Sequence, residues 1–458
     1  MSTDSLAEEL ARTLRVAHVL GFVSLLGHAS VRVGEERILV TPGRAPGSPP
    51  PNRLRASDLL VVGLDERVLE GKFPAPRDVA MHLAIYRVRP DVGAVLHTHQ
   101  PEMLAFGLVE RELLALAHQG ADLVQSSLPR YGRGELVTTK DQAGSLARVL
   151  GPAPACQLPG HGLLVVGAGL AEALCRAQQL EEIAKMSRLG ASFGKLKTVS
   201  RQHAERIAAQ RASMEDFRAY YTTLDPGPKP PPPPTPSSDS VQDVKALVAR
   251  ACHILRRFGV VHHLEHVSHR LPDSDRFVIS PRGDLGRLRA EDLATVDMAG
   301  RWVDGPLEPP PFRFLHRDVF LARPDVRAIV HTHETYGRLY PAAGVNIPPV
   351  HRTGAEVVRH DLPVFDVPDL IFDEEPRREV LALLGQGPIV HERAHGTDYV
   401  AASVEAATAA ALHREWIAEL YHRAAQLGKP QVLSDAALKQ LPDEEPSAGE
   451  WWDYWSGL

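Results

Sequence analysis

Cysteine, long apolar runs and an excess of either charge are all missing from this chain, and each shortage excludes a class of protein. Its three cysteines, Cys156, Cys175 and Cys252, are too few and too irregularly spaced for a disulfide framework or a thiolate metal site. The longest uncharged stretch, Gly151 to Ala171, carries three prolines, a histidine and several glycines, so it cannot form a membrane-spanning helix. The 51 basic and 57 acidic residues are spread along both halves for a net charge of −6, which leaves no basic field for a nucleic-acid backbone. From Met1 to Leu14 no basic segment leads into an apolar core, so no secretory leader is expected and the cytoplasm is the expected compartment.

What is present is a soluble globular composition, 44% hydrophobic and 24% charged, in a chain too long at 458 residues for one core. Two domains of roughly 200 residues are expected from length alone. Asp225 to Ser240 reads DPGPKPPPPPTPSSDS, a run that favours extended polyproline geometry and cannot pack a core. On either side the same text occurs twice: Arg89-Pro-Asp-Val-Gly-Ala-Val-Leu-His-Thr-His99 and Arg323-Pro-Asp-Val-Arg-Ala-Ile-Val-His-Thr-His333, an offset of 234 residues (323 minus 89). The offset also relates His82 to His316, His161 to His395 and Gly162 to Gly396. Upstream it becomes 238 (266 minus 28), pairing Gly27-His-Ala-Ser-Val-Arg32 with Glu265-His-Val-Ser-His-Arg270; extra residues in the loop 44–52 close the slip. The organisation expected is therefore a first domain over 1–221, a Pro-rich linker over 222–240, a second copy over 241–430 and an aromatic tail over 431–458.

Hydrophobic periodicity predicts the same elements in each copy. An N-terminal helix (Ser5–Leu20; Gln242–Phe258) precedes short strands (Val31–Thr41; Arg276–Ser280) and a helix (Arg77–Val88; Arg313–Leu321). The strand Val92–His99, a mixed segment, the strand Gly162–Gly167 and a closing helix (Ala171–Met186; Val404–Ala425) follow. The fold class expected is α/β or α+β, the former in α/β/α layers, with a central, mainly antiparallel sheet.

Residues two apart on a strand project to one face, so His97 and His99 can share one ion. A lone His-x-His is more often two ordinary histidines than a ligand pair. Here both recur as His331 and His333, and a third follows each pair at the same separation of 62 residues, as His161 and His395 (161 minus 99; 395 minus 333). The segments between have diverged: Tyr131–Lys140 and Phe365–Glu374 share almost nothing. Three neutral imidazoles with an open position describe a catalytic metal site, and imidazole suits Zn²⁺ foremost, with Mn²⁺ or Fe²⁺ as alternatives. In the second copy His391 competes for the third place. Asp78, one turn before His82 at a helix start, is the candidate proton-transfer group; a helix N-cap is its other reading. The second copy has Phe312 there and can move no proton with it.

Together these residues resemble the class II aldolase/adducin family, whose pattern is a Gly-Asn/His-x-Ser segment, a Glu four residues before a His, a His-x-His strand and a distal His-Gly. The resemblance covers both copies. It implies that His97, His99 and His161 hold a divalent ion that polarises a substrate oxygen, and that Asp78 takes the acid/base place of the Glu. Sugar-phosphate aldolases of the family bind phosphate with an Asn and serines where this chain has His28, Pro76 and Arg77, which argues against a phosphorylated substrate. Arg32 and Arg77 are candidates to meet a carboxylate, or are solvated surface charges, and His28 and Ser30 are candidates to hydrogen-bond it.

The reading that follows is a metal-dependent carbon–carbon lyase, retro-aldol or decarboxylating, on a small carboxylated or hydroxy-carbonyl substrate. An iron(II) oxygenase on the same fold and a non-catalytic, adducin-like scaffold are the alternatives. The family's ring assemblies imply a homo-oligomer, a dimer forming a pseudo-tetramer, in which the second copy completes the first copy's pocket or supports assembly. The tail Trp451-Trp-Asp-Tyr-Trp455 either covers apolar surface or is a loose end.

Overall fold

The computed structural model describes residues 2–116, 120–132, 134–191, 196–209, 214–262, 264–367, 371–393, 395–441 and 448–458. Parts of the middle segments 131–140 and 365–374, and residues 442–447 of the tail, lie outside the described residues. Two compact units result: 1–231 with 350–352 and 420–440, and 232–349 with 353–419 and 441–458.

The first unit runs α1 (Thr3–Val19), β1 (His28–Val33), β2 (Arg37–Val40), β3 (Leu60–Gly63), β4 (Val68–Glu70), α2 (Val79–Val88), β5 (Ala94–Thr98), α3 (Pro101–Gly107), α4 (Lys140–Leu150), β6 (Ala155–Leu158), β7 (Gly162–Gly167), α5 (Leu170–Gly190), α6 (Arg201–Ala209) and α7 (Met214–Leu224). Its seven strands lie in the order β4-β3-β2-β1-β5-β7-β6, every neighbouring pair antiparallel. Strand alternation sorts the side chains. Val40, Val62, Val95 and Val166 face Met81, Ile85, Leu146 and Leu150 of α2 and α4 in one apolar layer. Helices α1 and α5 cover the other face, giving the three-layer α/β fold expected.

The second unit repeats the plan: α8 (Val241–Arg257), β8 (His266–Arg270), β9 (Arg276–Ile279), β10 (Ala294–Asp297), β11 (Trp302–Asp304), α9 (Arg313–Ala322), β12 (Ala328–Thr332), α10 (Thr335–Ala342), α11 (Ala355–Val358), β13 (Val364–Phe365), α12 (Glu374–Leu384), β14 (Ile389–Glu392), β15 (Gly396–Ala401), α13 (Val404–Ala425), α14 (Asp435–Lys439) and α15 (Ala448–Ser456). Its sheet, β11-β10-β9-β8-β12-β15-β14-β13, gains one short edge strand, and β13 pairs parallel to β14.

The compact units cross two of the repeat's boundaries. Residues 420–430, expected to close the second copy, cluster with the first unit, where Arg423 pairs with Glu102 at 2.7 Å and Arg111 donates to the Leu427 carbonyl at 3.0 Å. The tail divides: 441–458 belongs to the second unit, and α15 buries Trp451, Trp452, Tyr454 and Trp455. Trp455 meets Phe258 at 6.0 Å between ring centroids, and Trp451 meets His413 at 5.0 Å. The described tail is thus an apolar cap. No helix among the described residues is long and apolar enough to cross a membrane.

The second core also buries imidazoles. Burial pushes His316 down to about 3, and His269 and His391 to about 4, from an ordinary value of 6.5. These rings stay neutral in the fold, whereas the unfolded chain takes up their protons once pH drops below 6.5. The stability they confer is complete above that pH and is lost as pH falls toward 4. Calorimetry of metal-free protein should show Tm falling from pH 6.5 to 4.5, above the carboxylate range; a flat Tm there would contradict this.

Candidate metal centres

Backbone register builds the first centre. On β1 and β5, His28 stands opposite His97, and on β5 and β7, His97 stands opposite Leu164, so three adjacent strands end at one spot. His161 occupies the turn entering β7, its amide bonded to the Leu158 carbonyl at 2.9 Å. Gly162 makes the convergence possible. A Cβ there would lie 2.7 Å from His97 Cε1, 2.7 Å from the Thr98 carbonyl oxygen and 2.9 Å from His99 Cδ2. Gly396 has the same role in the second unit, where a Cβ would lie 2.8 Å from His331 Cε1. The His-Gly pairing is therefore a steric requirement of the His-x-His beside it.

His97, His99 and His161 offer ring nitrogens within 4.8 Å of one another. His97 Nδ1 donates to the Leu163 carbonyl at 3.2 Å, which leaves Nε2 a bare acceptor, buried and without a partner. Burial, then the neighbouring imidazoles, hold His97 and His99 well below the usual histidine range; burial brings His161 to about 4 against the opposing pull of Asp78. Three neutral rings around an orphaned nitrogen suit a divalent cation.

Asp78 stands at the N-cap of α2, yet its side chain caps nothing. Its carboxylate lies 2.8 Å from His28 Nε2 and 3.8 Å from His161 Nε2. Burial would raise this carboxyl, but His28, His97 and His161 outweigh burial and hold it well below the usual range. Behind it runs a buried chain of contacts. His28 Nδ1 meets His82 Nε2 at 3.0 Å, His82 Nδ1 meets Ser30 Oγ at 2.7 Å, and Ser30 Oγ meets the Tyr86 hydroxyl at 2.9 Å.

Two residues expected at the substrate have other partners in the fold. Ser30 is fully buried and engaged by His82 and Tyr86. Arg32 lies four residues along β1 from His28, about 13 Å at strand rise; it donates to the Tyr86 and Val92 carbonyls at 2.7 and 3.3 Å and stacks on the Tyr86 ring. Arg77 is exposed and has no hydrogen bond or ion pair among the described residues.

The structure also supplies residues that the sequence did not point to. The segment Val350–Arg352 belongs to the first unit. His351 Nε2 donates to the His161 carbonyl at 2.9 Å, and its ring centroid is 6.1 Å from that of His99. Arg352 donates through its amide to the Gly160 carbonyl at 3.1 Å and through Nη1 to Gly134 at 3.1 Å. Burial and the like charge of Arg77 lower its guanidinium, while Asp78 opposes them. Lying 190 positions from His161, this segment carries no local motif that could have betrayed it.

The second unit assembles His331, His333 and His395 on the same plan, again with nitrogens within 4.8 Å. His391 is not among them; its Nδ1 meets Thr397 Oγ1 at 3.0 Å. Phe312 takes the place of Asp78 and stacks on His395 at 5.0 Å and on His331 at 5.7 Å. His266, His316 and Ser268 keep their contacts, at 2.8 and 2.6 Å, but the chain ends at Phe320 where the first unit has Tyr86.

The family described as Class II Aldolase and Adducin N-terminal domain matches residues 8–187 and again 246–422. A 3,4-dihydroxyphthalate decarboxylase of Arthrobacter keyseri is 33% identical over 190 residues, 39% of this chain and 76% of the relative. A 5-methylthioribulose-1-phosphate/5-deoxyribulose-1-phosphate aldolase of Rhodospirillum rubrum is 27% identical over 38% of this chain and 79% of its own length. The solved L-fuculose 1-phosphate aldolase from Glaciozyma antarctica PI12 is 23% identical, covers 48% of this chain and 88% of its own, and superposes with a TM-score of 0.42. Family and relatives alike support a lyase. With two matched segments and one histidine centre in each unit, the chain belongs to the class II aldolase/adducin family as a tandem of its domain.

Proposed function

We propose that the first unit is a metal-dependent carbon–carbon lyase that decarboxylates a small, non-phosphorylated hydroxy acid. The observation that carries this reading is the set of three imidazoles within 4.8 Å, with the Asp78 carboxylate 3.8 Å from the third. His97, His99 and His161 would hold a divalent ion, Zn²⁺ first among the choices, which would supply a Lewis acid for charge developing on a substrate oxygen. Arg77 and Arg352 receive the carboxylates. Two neighbouring cations, one of them without a partner, favour an anionic group between them, and a planar guanidinium matches a carboxylate in two-point contact.

As carbon dioxide leaves, the bonding electrons stay on the carbon that held it, and a proton must take the vacant place. Asp78, ionised in the fold, first takes a proton from a substrate hydroxyl and then passes it to that carbon, with His28 and His82 behind it as a hydrogen-bonded route. Decarboxylation is favoured over aldol cleavage by the arginines and by the relatives that act on 3,4-dihydroxyphthalate, one of them 33% identical. The second unit, with Phe312 and Phe320, lacks both ends of the proton route. We further propose that two chains pair into a pseudo-tetramer.

Carbon dioxide release from 3,4-dihydroxyphthalate tests the reaction. Asp78→Asn should lower kcat by roughly 10²- to 10⁴-fold with metal content unchanged, whereas His97→Ala should lose the ion. Wild-type turnover by Asp78→Asn, or by metal-stripped protein, would refute the assignment, and turnover that stops under strict anaerobiosis would favour the oxygenase.

Gly162→Ala tests the steric argument separately. The added methyl displaces His97 and His99, so metal content should fall while far-ultraviolet circular dichroism stays that of the parent. Full occupancy in that variant would show that the centre tolerates a Cβ.

A further inference from the structure

The two centres differ most in what stands behind the histidines. In the first unit His97 is backed by a backbone carbonyl, that of Leu163, and His161 Nδ1 has no partner. In the second unit each of the three histidines meets a buried carboxyl group. His331 Nδ1 donates to Asp398 Oδ1 at 3.0 Å, His333 Nδ1 lies 3.0 Å from Glu265 Oε1, and His395 Nδ1 is in close contact with Glu392 Oε2. All three acidic residues are buried, exposed by 3% or less.

None of these groups exists in the first copy. Asp398 stands opposite His331 in the β12–β15 pairing, where the β5–β7 pairing sets Leu164 opposite His97. Glu392 stands opposite Gly396, as Leu158 stands opposite Gly162. Glu265 precedes His266, as Gly27 precedes His28. Two leucines and a glycine have thus been exchanged for acids around one cluster. Burying ionised carboxylates, as at Asp398 and Glu265, is strongly unfavourable unless a positive charge accompanies them.

The ring tautomers locate that charge. A carboxylate only accepts, so the hydrogens of His331 and His333 sit on Nδ1 and their Nε2 lone pairs point away from the acids. Those two Nε2 atoms face each other at 3.1 Å. Lone pairs at that distance repel unless a cation lies between them. With the His395 ring 4.7 and 4.9 Å away between centroids, the arrangement takes a metal ion in preference to a single proton. Carboxylates behind ligating histidines fix their orientation and raise their basicity, and losing one typically costs 10- to 100-fold in affinity.

We propose that the second unit holds a divalent cation as a permanent structural element, bound more tightly than the ion of the first unit. Phe312 occupies the side from which Asp78 acts in the first copy, so this ion braces the sheet instead of meeting substrate. The proposal rests on the ligand sets assigned above. A cavity bordered by His333, Glu265 and Arg338 leaves the ion a way in.

The full-length chain loaded with Zn²⁺ and dialysed against increasing chelator tests it, with metal content read by plasma mass spectrometry and Tm by calorimetry. Two ions per chain are expected; one leaves early, and the resistant one persists in His97→Ala and is absent from His331→Ala. Glu265→Gln and Asp398→Asn should each weaken the resistant site 10- to 100-fold, the former at a strand entrance where an isosteric amide preserves the fold. Stripping the resistant ion should lower Tm more than stripping the first. If the early ion is the one missing from His331→Ala, or both leave together, the proposal is overturned while the lyase reading stands. A chain that binds no zinc overturns both.

Discussion

Each unit depends on a single close approach. Strands β5 and β7, like β12 and β15, bring three imidazoles to one point only because the residue after the third histidine has no side chain. The antiparallel register then does the rest. It sets His28 against His97 and carries the start of α2 to the same end of the sheet, where Asp78 can turn its carboxylate away from the helix it precedes and toward the rings. The apolar layer between the strands and α2 and α4 holds this arrangement in place. Burial holds His97, His99 and His161 below the ordinary histidine range.

Within this shared frame the copies have parted along one line of contacts. His28, His82 and Ser30 have counterparts in His266, His316 and Ser268, and both trios are buried. What differs are the ends, Asp78 and Tyr86 in one unit, Phe312 and Phe320 in the other. A hydrogen-bonded trio survives without its ends because it also ties a helix to a strand, which is a structural task in either copy.

Much of the fold and part of each centre were legible in the sequence. The duplication, the antiparallel α/β character and the convergence of each histidine triplet follow from periodicity and from repeated spacing, which report backbone geometry directly. Ser30 and Arg32 were expected at a substrate carboxylate, but the hydroxyl is engaged by His82 and the guanidinium lies a strand length away. The acids of the second centre stayed hidden because Glu392 and Asp398 fall where the first copy has leucines, so nothing in the repeat marked them. His351 and Arg352 were beyond any local pattern, since their neighbours near His161 are set by tertiary folding.

The joining of two copies in one reading frame has a genetic consequence. In an assembly of identical subunits, any substitution appears in every copy at once, so a change that suits one site is imposed on all. Here a codon for phenylalanine at 312, or for glutamate at 392, alters one member of the pair and leaves its sibling untouched. Fusion therefore frees each half to mutate separately while fixing their stoichiometry at one to one.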